Sequence, residues 1–240
     1  MKQRAKYGID APGVVRILLS IGVLLALAAV AGFLIAKPDT LIGQLAPNAA
    51  VTAFFFFLSG GTMLWSSLWG KMRVRDKLVN ALALSGSERV LDAGCGRGLA
   101  LIGCARKLTT GKAVGIDLWS AKDLSNNNPD ATRANAAAEG VADRIEVETG
   151  DITKLPFPDA AFDAIISMTV IHNIPSQDGR DQALRELARV LKPGGRMAIF
   201  DIQHPFRYMT VLRQAGLEVR SLGFSFLWFQ PCRSVLARKT

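Results

Sequence analysis

Cysteine and histidine are scarce in this chain, with three cysteines and two histidines among its 240 residues. The cysteines form no C-x-x-C pair, so the sequence predicts neither a disulfide framework nor a structural metal site. Their low and odd number is typical of proteins in a reducing compartment. A metal centre and a disulfide-rich extracellular fold are therefore not expected.

A nucleic-acid-binding surface is not expected either, although the formal net charge is +9. Residues 1–77 carry 9 basic and 3 acidic side chains, which leaves 20 basic and 17 acidic side chains, or +3, for residues 78–240. That second part of the chain shows no stripe in which basic and aromatic residues alternate. The basic balance thus describes the N-terminal third of the chain.

Long apolar runs are what the sequence has in excess, and they are concentrated before residue 70. Residues 17–36 and 49–69 are each long enough to cross a bilayer as a helix. Residues 1–70 are therefore predicted to form an integral membrane hairpin with two spans. Basic residues precede the first span and follow the second, which predicts that both termini and the following domain face the cytoplasm. These residues are Lys2, Arg4, Lys6, Arg16, Lys71, Arg73, Arg75 and Lys77.

Two other interpretations of the apolar runs remain open. The A-V-A sequence at 29–31 resembles a signal-peptide cleavage site after a basic head, but the apolar run continues beyond it and a second run follows. Two buried core helices would each carry one apolar stripe, whereas these runs are apolar on all faces. The membrane hairpin accounts best for both runs and for their flanking charges.

Beyond residue 88, short apolar runs alternate with helical patterns. Such alternation predicts an α/β fold with a doubly wound, mostly parallel seven-stranded sheet over residues 88–240. A helix over residues 71–87 is expected to link this domain to the hairpin, and the last two strands are expected to pair antiparallel. The predicted strands are 90–92, 113–118, 145–148, 164–167, 196–201, 218–226 and 234–238.

The first of these strands ends at Asp92 and runs into a glycine turn, GCGRG, at 94–98. Glycine permits a positive φ and a close approach of ligand to backbone. Such a turn at the end of a parallel strand is where nucleotide-like ligands bind. The G-x-G-x-G spacing lacks the extra residue of the dinucleotide fingerprint. Because Asp92 would repel a phosphate, a cationic ligand without a phosphate is favoured.

The pattern D-A-G-C-G-R-G resembles the first motif of class I S-adenosylmethionine (SAM) methyltransferases. Further landmarks follow in the family's order over residues 88–201: Asp117 after the second strand, G-D-I at 150–152, the fourth strand at 162–167 and the turn at 191–196. The resemblance is greatest to the small-molecule, type 11-like branch that includes enzymes of the ubiquinone and menaquinone pathways. It implies a Rossmann-like fold, SAM as cofactor and S-adenosylhomocysteine as product.

Positions at the strand ends acquire roles in such a site. Asp117 is expected to accept hydrogen bonds from the ribose hydroxyls. The resemblance implies that Asp151 accepts from the adenine amino group, and Asp92 would hold the sulfonium cation. Cys95 is expected to fill the turn as a small residue. The predicted cofactor-binding residues are Asp92, Gly94, Cys95, Gly96, Gly98, Asp117, Leu118, Asp151, Ile152 and Ser167.

The catalytic groups are less determined by the sequence. Methyl transfer from a sulfonium is a direct displacement that depends on alignment, and only some acceptors need a general base. His172 and His204 each follow a predicted strand end and are the candidate bases. A hydrogen bond to a loop is the alternative role for each. Residues 119–128 form a longer connection than is usual in the family, and are expected to be a flap with Trp119 near the adenine, or an irregular loop.

The sequence thus predicts a membrane-anchored SAM-dependent methyltransferase whose acceptor is small and lipid-like or membrane-soluble. A catalytically inactive SAM-binding membrane scaffold and an NAD-dependent oxidoreductase are the alternatives. The glycine spacing disfavours the second of these. The expected partners are a lipid bilayer and a small-molecule acceptor, and the oligomeric state is left open.

Overall fold

The computed structural model describes residues 5–120, 124–229 and 232–240. The helices in these residues are α1 (Pro12–Ile35), α2 (Leu41–Trp65), α3 (Lys71–Leu82), α4 (Leu99–Ala105), α5 (Pro129–Ala138), α6 (Gln177–Val190) and α7 (Pro205–Gln214). The strands are β1 (Arg89–Ala93), β2 (Lys112–Asp117), β3 (Ile145–Thr149), β4 (Phe162–Met168), β5 (Leu191–Asp201), β6 (Leu217–Ser225) and β7 (Cys232–Lys239).

The seven strands form one mixed sheet in the order β3-β2-β1-β4-β5-β7-β6. The first five strands in this order are parallel, and β7 is antiparallel to both β5 and β6. This confirms the predicted doubly wound sheet and its antiparallel last pair. Asp92 is in register with Gly115 on one side and with Ile166 on the other, so the ends of β1, β2 and β4 meet at one edge.

Helices cover the sheet on both faces, which is why its central strands read as continuous apolar runs. Successive residues of β1 point into two different cores. Leu91 packs in a cluster with Leu187 of α6 and Leu212 of α7. Val90 packs in the other cluster, with Leu78 of α3 and residues of α4. The predicted linker helix is therefore a structural part of the α/β domain.

Helices α1 and α2 pack against each other through small residues. A Cβ added at Gly32 would lie 2.8 Å from Ala46 Cβ, and one at Gly60 would lie 2.7 Å from Leu19 Cδ2. The other apolar side chains of the pair are mostly exposed, with Leu24 at 66%. Both helices are long and apolar enough to cross a membrane. They begin at Pro12 and Leu41, a few residues before the predicted spans.

No break separates the second apolar helix from the helix that packs on the sheet. Helix α2 continues through a π-helical turn (Ser66–Gly70) directly into α3, which gives one helical stretch of 42 residues, Leu41–Leu82. The predicted linker helix of residues 71–87 is wrong at its end, because α3 stops at Leu82. Ala83 closes it in the left-handed region, with a φ of 47°.

Candidate functional site

A cavity of about 390 Å³ lies at the carboxyl ends of β1, β2 and β4. Its volume is in the range of small-molecule sites. Gly98 and Ser167, two of the ten predicted cofactor residues, do not line it; the buried Ser167 hydroxyl donates to the Ala93 carbonyl at 2.9 Å. The other eight do line it, namely Asp92, Gly94, Cys95, Gly96, Asp117, Leu118, Asp151 and Ile152.

The glycine turn is shaped by its protein neighbours as well as by room for a ligand. Gly94 and Gly98 have φ values of 78° and 82°. A Cβ at Gly94 would lie 2.3 Å from Val170 Cγ1, and one at Gly98 would lie 2.9 Å from Thr132 Cγ2. The sequence explains the glycines by the approach of a ligand, and the structure adds a packing requirement at these two positions.

Cys95 fills space inside the turn, as predicted. A Cβ on Gly115 of the neighbouring strand would lie only 2.8 Å from the Cys95 sulfur. The thiol is buried, and burial raises its pKa well above the usual value, with the nearby carboxyls Asp92 and Asp117 adding to the effect. It is therefore held in the protonated, unreactive form.

The environment of Asp92 is suited to the binding of a cation. It is 2% exposed, and burial together with the nearby Asp117 carboxyl raises its pKa to about 8. The Leu101 backbone NH opposes this rise by donating to it. Its Oδ2 atom has no hydrogen-bond partner among the described residues. A positively charged ligand group would satisfy that oxygen and favour the ionised form.

Asp117 holds the loops around the site together, a role that the sequence does not reveal. Its Oδ2 accepts from the Gly96 NH at 2.8 Å. Its Oδ1 accepts from the Trp119 NH at 2.6 Å and from the Asn127 side-chain amide at 3.2 Å. A carboxylate offers about four acceptor positions, so these donors leave room for about one more. The residue thus positions the glycine turn in addition to its predicted role towards a ribose.

The predicted flap falls partly on residues 121–123, which lie outside the described residues. The described part lies along the cavity, which Ser120, Leu124 and Asn127 help to line. Trp119 is not among the lining residues, and its indole NH donates to Thr149 Oγ1 at 2.8 Å. The structure therefore supports a cover over the glycine turn but gives Trp119 a different contact from the one expected.

At the far end of the cavity, Asp151 and Ile152 lie directly after β3, as the family resemblance implies. Asp151 is exposed, and one of its carboxylate oxygens accepts from the Thr153 NH at 2.8 Å. Ile152 is buried and belongs to the core beneath the sheet. The pair thus offers one carboxylate and one apolar surface at this end.

The chain just before α1 supplies a wall of the cavity that sequence reasoning missed. We call residues 5–11 the N-terminal strap. Tyr7 and Asp10 line the cavity. The Lys6 backbone forms two hydrogen bonds with the Asn135 side chain, at 2.8 Å and 3.1 Å. Asp10 also forms a β-bridge with Leu124, so the strap and the described part of the flap meet above the glycine turn.

Lys71 clasps this strap from the first turn of α3. Its ammonium group donates to the carbonyl oxygens of Gly8 at 2.7 Å and of Tyr7 at 3.2 Å, and approaches the Asp10 carboxylate at 3.4 Å. Lys71 is 2% exposed. The sequence analysis counts Lys71 only among the basic residues that follow the second apolar run, and the structure adds this internal contact with the N-terminal strap. A single lysine beside an apolar run carries no sign of an internal role.

The two histidines lie outside the cavity lining. His172 Nδ1 is 2.5 Å from Asp201 Oδ1, and the buried Asp201 carboxylate also accepts from the Tyr208 hydroxyl at 3.2 Å. The neighbours of His172, Val170 and Asn173, line the cavity instead. His204 is exposed and occupies the N-cap position of α7, with a φ of 57°. His172 therefore lies behind the residues that line the cavity and contacts Asp201 instead.

Comparison with known proteins agrees with the geometry. Residues 90–195 match the family model described as a methyltransferase domain. The 27-O-demethylrifamycin SV methyltransferase of Amycolatopsis mediterranei is 35% identical over 159 residues, 63% of this chain and 52% of the relative. The chloroplastic 2-phytyl-1,4-beta-naphthoquinone methyltransferase of Arabidopsis thaliana is 35% identical over 141 residues, 57% of this chain and 51% of the relative. The chain thus spans about half the length of these curated relatives.

A solved structure shows the same fold with its cofactor in place. It is the magnesium protoporphyrin IX methyltransferase from Synechocystis with bound SAM, with a TM-score of 0.60 and 18% identity over 75% of this chain and 84% of that one. Residues 90–195 therefore match a methyltransferase domain, and the chain shares the fold of a protein that binds SAM. SAM fits the site, because it brings a sulfonium and an ammonium group, and no phosphate, to a cavity with the unpartnered Asp92 oxygen.

Proposed function

We propose that this chain is a membrane-anchored methyltransferase that moves the methyl group of SAM to a small, amphiphilic or membrane-soluble acceptor at the cytoplasmic face. One observation carries the methyltransferase part: the buried Asp92 carboxyl, whose Oδ2 has no hydrogen-bond partner among the described residues, lines a cavity at the strand ends of a domain that matches the methyltransferase model. A cationic cofactor explains why a carboxyl with a pKa of about 8 is kept there.

SAM supplies an electrophilic methyl group on a sulfonium, and the chain's residues hold and orient it. Asp92 provides the countercharge for the cation, and Asp117 offers its remaining acceptor position to a ribose hydroxyl. The N-terminal strap adds Tyr7 and Asp10 to the cavity wall and so helps to confine a bound cofactor. Because displacement at the methyl group depends chiefly on alignment, such confinement is the main contribution required of the protein.

The acceptor side of the cavity is largely apolar. It is lined by Met168, the last residue of β4, and by Val170, Ile174 and Pro175 after it. Trp228 completes the wall, and its buried indole NH has no partner among the described residues, so it is available to an oxygen of an acceptor. The name of the phytyl-naphthoquinone relative describes an acceptor with an apolar tail. These features support a small, amphiphilic acceptor.

The membrane part of the proposal rests on the exposed surface of α1 and α2. Their outward side chains include Leu34 and Leu41, 81% and 71% exposed, with Phe54 and Phe55 on the second helix. Soluble monomers rarely present a continuous apolar surface of this extent. The flanking basic residues support a placement of the catalytic domain on the cytoplasmic side.

The test is an incubation of the purified 240-residue chain in lipid nanodiscs with methyl-labelled SAM and extracts of native membranes. We expect label to enter an organic-soluble product, and an Asp92→Asn variant to transfer much less. SAM binding measured by calorimetry without transfer to any extract fraction would instead favour the inactive scaffold. Absence of SAM binding would overturn the proposed function.

A further inference from the structure

The catalytic domain carries an unusual group of exposed aromatic side chains. Within the described part of residues 88–240, five large apolar side chains are exposed, and Leu118 of the cavity is one of them. The other four are phenylalanines that lie on or beside the connection between β6 and β7, namely Phe206 (67% exposed), Phe224 (56%), Phe226 (75%) and Phe229 (38%). Folding within the chain leaves these four rings uncovered.

Two of the four exposed rings contact a cationic side chain. The Arg233 guanidinium lies 4.4 Å from the Phe224 ring centre and 4.8 Å from that of Phe206. Trp228 packs edge-on against the core residue Phe200, with ring centres 5.5 Å apart. We call residues 224–229 the aromatic loop. Together with the neighbouring Arg233, this loop presents exposed phenyl rings and a cationic group, which is the composition of protein surfaces that enter the interface of an anionic bilayer.

The contact between the aromatic loop and the second apolar helix shows at which level along the helix axis the loop lies. The Leu227 carbonyl packs against Gly70 so closely that a Cβ on this glycine would lie 1.9 Å from the oxygen. Gly70 is one residue beyond Trp69, which is 58% exposed. Trp69 ends the second apolar run, at the place where aromatic residues form a belt at the membrane interface. One residue of helix corresponds to about 1.5 Å, so Leu227 lies at the height of that belt. Phe226 and Phe229 flank it.

A second contact orients the loop. Lys77 Nζ donates to the Leu222 carbonyl at 2.9 Å, seven residues farther along the same helix than Gly70. Seven residues correspond to about 10 Å of helix, so the Leu222 end of this connection lies farther from the bilayer than Leu227. The tip with Phe226 and Phe229 therefore points towards the side on which α1 and α2 extend.

We propose that the aromatic loop is a second membrane-contact site, which inserts Phe226 and Phe229 into the interface of a bilayer containing anionic phospholipids. This rests on the proposed function, specifically on the insertion of α1 and α2. Trp228 lies between these two phenylalanines in the sequence, and its side chain lines the cavity. Docking of the loop therefore places the acceptor side of the cavity against the bilayer. An amphiphilic acceptor then passes from the interface into the cavity along this loop.

The experiment uses single labelling sites in the 240-residue chain. The three native cysteines are buried, so an environment-sensitive fluorophore will attach selectively to an added surface cysteine. Three variants are compared in vesicles of phosphatidylcholine and phosphatidylglycerol with nitroxide-labelled lipids. Phe226→Cys probes the loop, Leu24→Cys probes the hairpin, and Glu218→Cys is the matched control, an exposed position at the other end of β6. Calorimetry with SAM verifies that each variant keeps a folded site.

We expect the labels at 226 and 24 to be quenched strongly and the label at 218 to be quenched several-fold less. Quenching at 24 with a signal at 226 that equals that at 218 would overturn loop docking alone and leave the membrane anchor standing. Quenching at 226 without quenching at 24 would support loop docking and contradict the anchor. Quenching at neither position would overturn both.

Discussion

The ammonium nitrogen of Lys71 lies 2.7 Å from the carbonyl oxygen of Gly8, which is 63 residues away in the sequence. This contact joins the first turn of α3 to the N-terminal strap that precedes α1. It closes the cavity with residues from both ends of the apolar hairpin. The residues that flank the segment assigned to membrane anchoring therefore also line the candidate cofactor site.

Replacing Lys71 by methionine is expected to weaken SAM binding. The change leaves the Tyr7 and Gly8 carbonyls without their donor, which loosens the strap and raises the Kd roughly thirtyfold, or about 2 kcal/mol. Calorimetry on the protein in nanodiscs gives the Kd. Arg73→Met is the matched control, because Arg73 is exposed on the same helix, and it should bind SAM normally. Equal SAM affinities for the two variants would show that the contact between Lys71 and the strap does not affect SAM binding.

The pH dependence of SAM binding is expected to follow Asp92. Its pKa in the folded protein is about 8, so below that pH the carboxyl is protonated and must lose its proton to face the cofactor cation. SAM affinity should therefore rise with pH up to about 8 and flatten above it. Binding near neutral pH should release a proton, which calorimetry in buffers of different ionisation enthalpy measures. Asp92→Asn should abolish this release, and release that persists in the variant would assign the proton to another group.

The same carboxyl is expected to affect folding stability in the opposite direction. A group whose pKa is raised in the folded state binds more protons there than in the unfolded chain. Stability without SAM should therefore fall as the pH rises from about 4, the ordinary pKa of an aspartate, to about 8. Thermal unfolding of the wild type and of Asp92→Asn at several pH values tests this. The stability of the variant should fall much less over this pH range than that of the wild type. If the two curves of stability against pH were parallel, Asp92 would not be the source of the decline.

Asp117→Ala is expected to cost on the order of 2–4 kcal/mol of SAM binding, because it removes a ribose acceptor and the acceptor for three protein donors. Asn127→Ala separates these effects, since it removes the tie to the flap and leaves the carboxylate in place. We expect the Asn127 variant to lose about 1 kcal/mol or less. If the Asn127 variant lost as much SAM-binding free energy as Asp117→Ala, Asp117 would affect binding by holding the loop in place. The predicted hydrogen bond from Asp117 to the ribose would then be wrong.

Gly94→Ala should be far more damaging than an alanine at another glycine of similar backbone conformation. Gly94 and Gly216 have φ values of 78° and 84°, but only the first is crowded, by Val170 at 2.3 Å from an added Cβ. The φ penalty of about 1 kcal/mol is common to both, and overpacking should add about 1–3 kcal/mol at Gly94. Thermal unfolding of both variants measures the difference. Similar melting temperatures would show that Val170 moves aside.

His172→Gln is expected to reduce stability more than it affects the site. The imidazole is a partner of the buried Asp201, whereas His204 is exposed and lies outside the cavity lining. His204→Gln should therefore leave unfolding, SAM affinity and methyl transfer unchanged. A fall in transfer for His172→Gln that exceeds its loss of stability, together with the loss of a limb from the pH–rate profile, would restore His172 as a general base.

The sequence was sufficient for the sheet and for the eight lining residues at the strand ends. Buried parallel strands leave apolar runs, and carboxylates such as Asp92 and Asp117 stand at or near the ends of the predicted strands 90–92 and 113–118. The order of the strands then brings these carboxylates to one edge. A local pattern contains this information, because the signal lies in the side chains of neighbouring residues.

The N-terminal strap could not be predicted in the same way. Its contacts connect residues 6–10 with Ser67, Lys71, Leu124 and Asn135, which are far apart in the sequence. Many of its atoms are backbone carbonyls and amides, which every residue possesses. Nor does hydropathy distinguish a buried Lys71 from a lysine that marks the end of a membrane span. Only the three-dimensional arrangement reveals this wall.

The uninterrupted helical stretch Leu41–Leu82, about 63 Å long, has a practical consequence for any attempt to obtain a soluble catalytic fragment. Trimming the chain at the hydrophobic boundary near residue 70 would discard Tyr7 and Asp10 together with the apolar helices. The fragment would keep the glycine turn and its carboxylates but would lack the part of the cavity wall that Tyr7 and Asp10 form. Activity lost on such trimming would reflect a missing piece of the enzyme, and detergent or nanodisc preparations of the whole chain are the appropriate starting material.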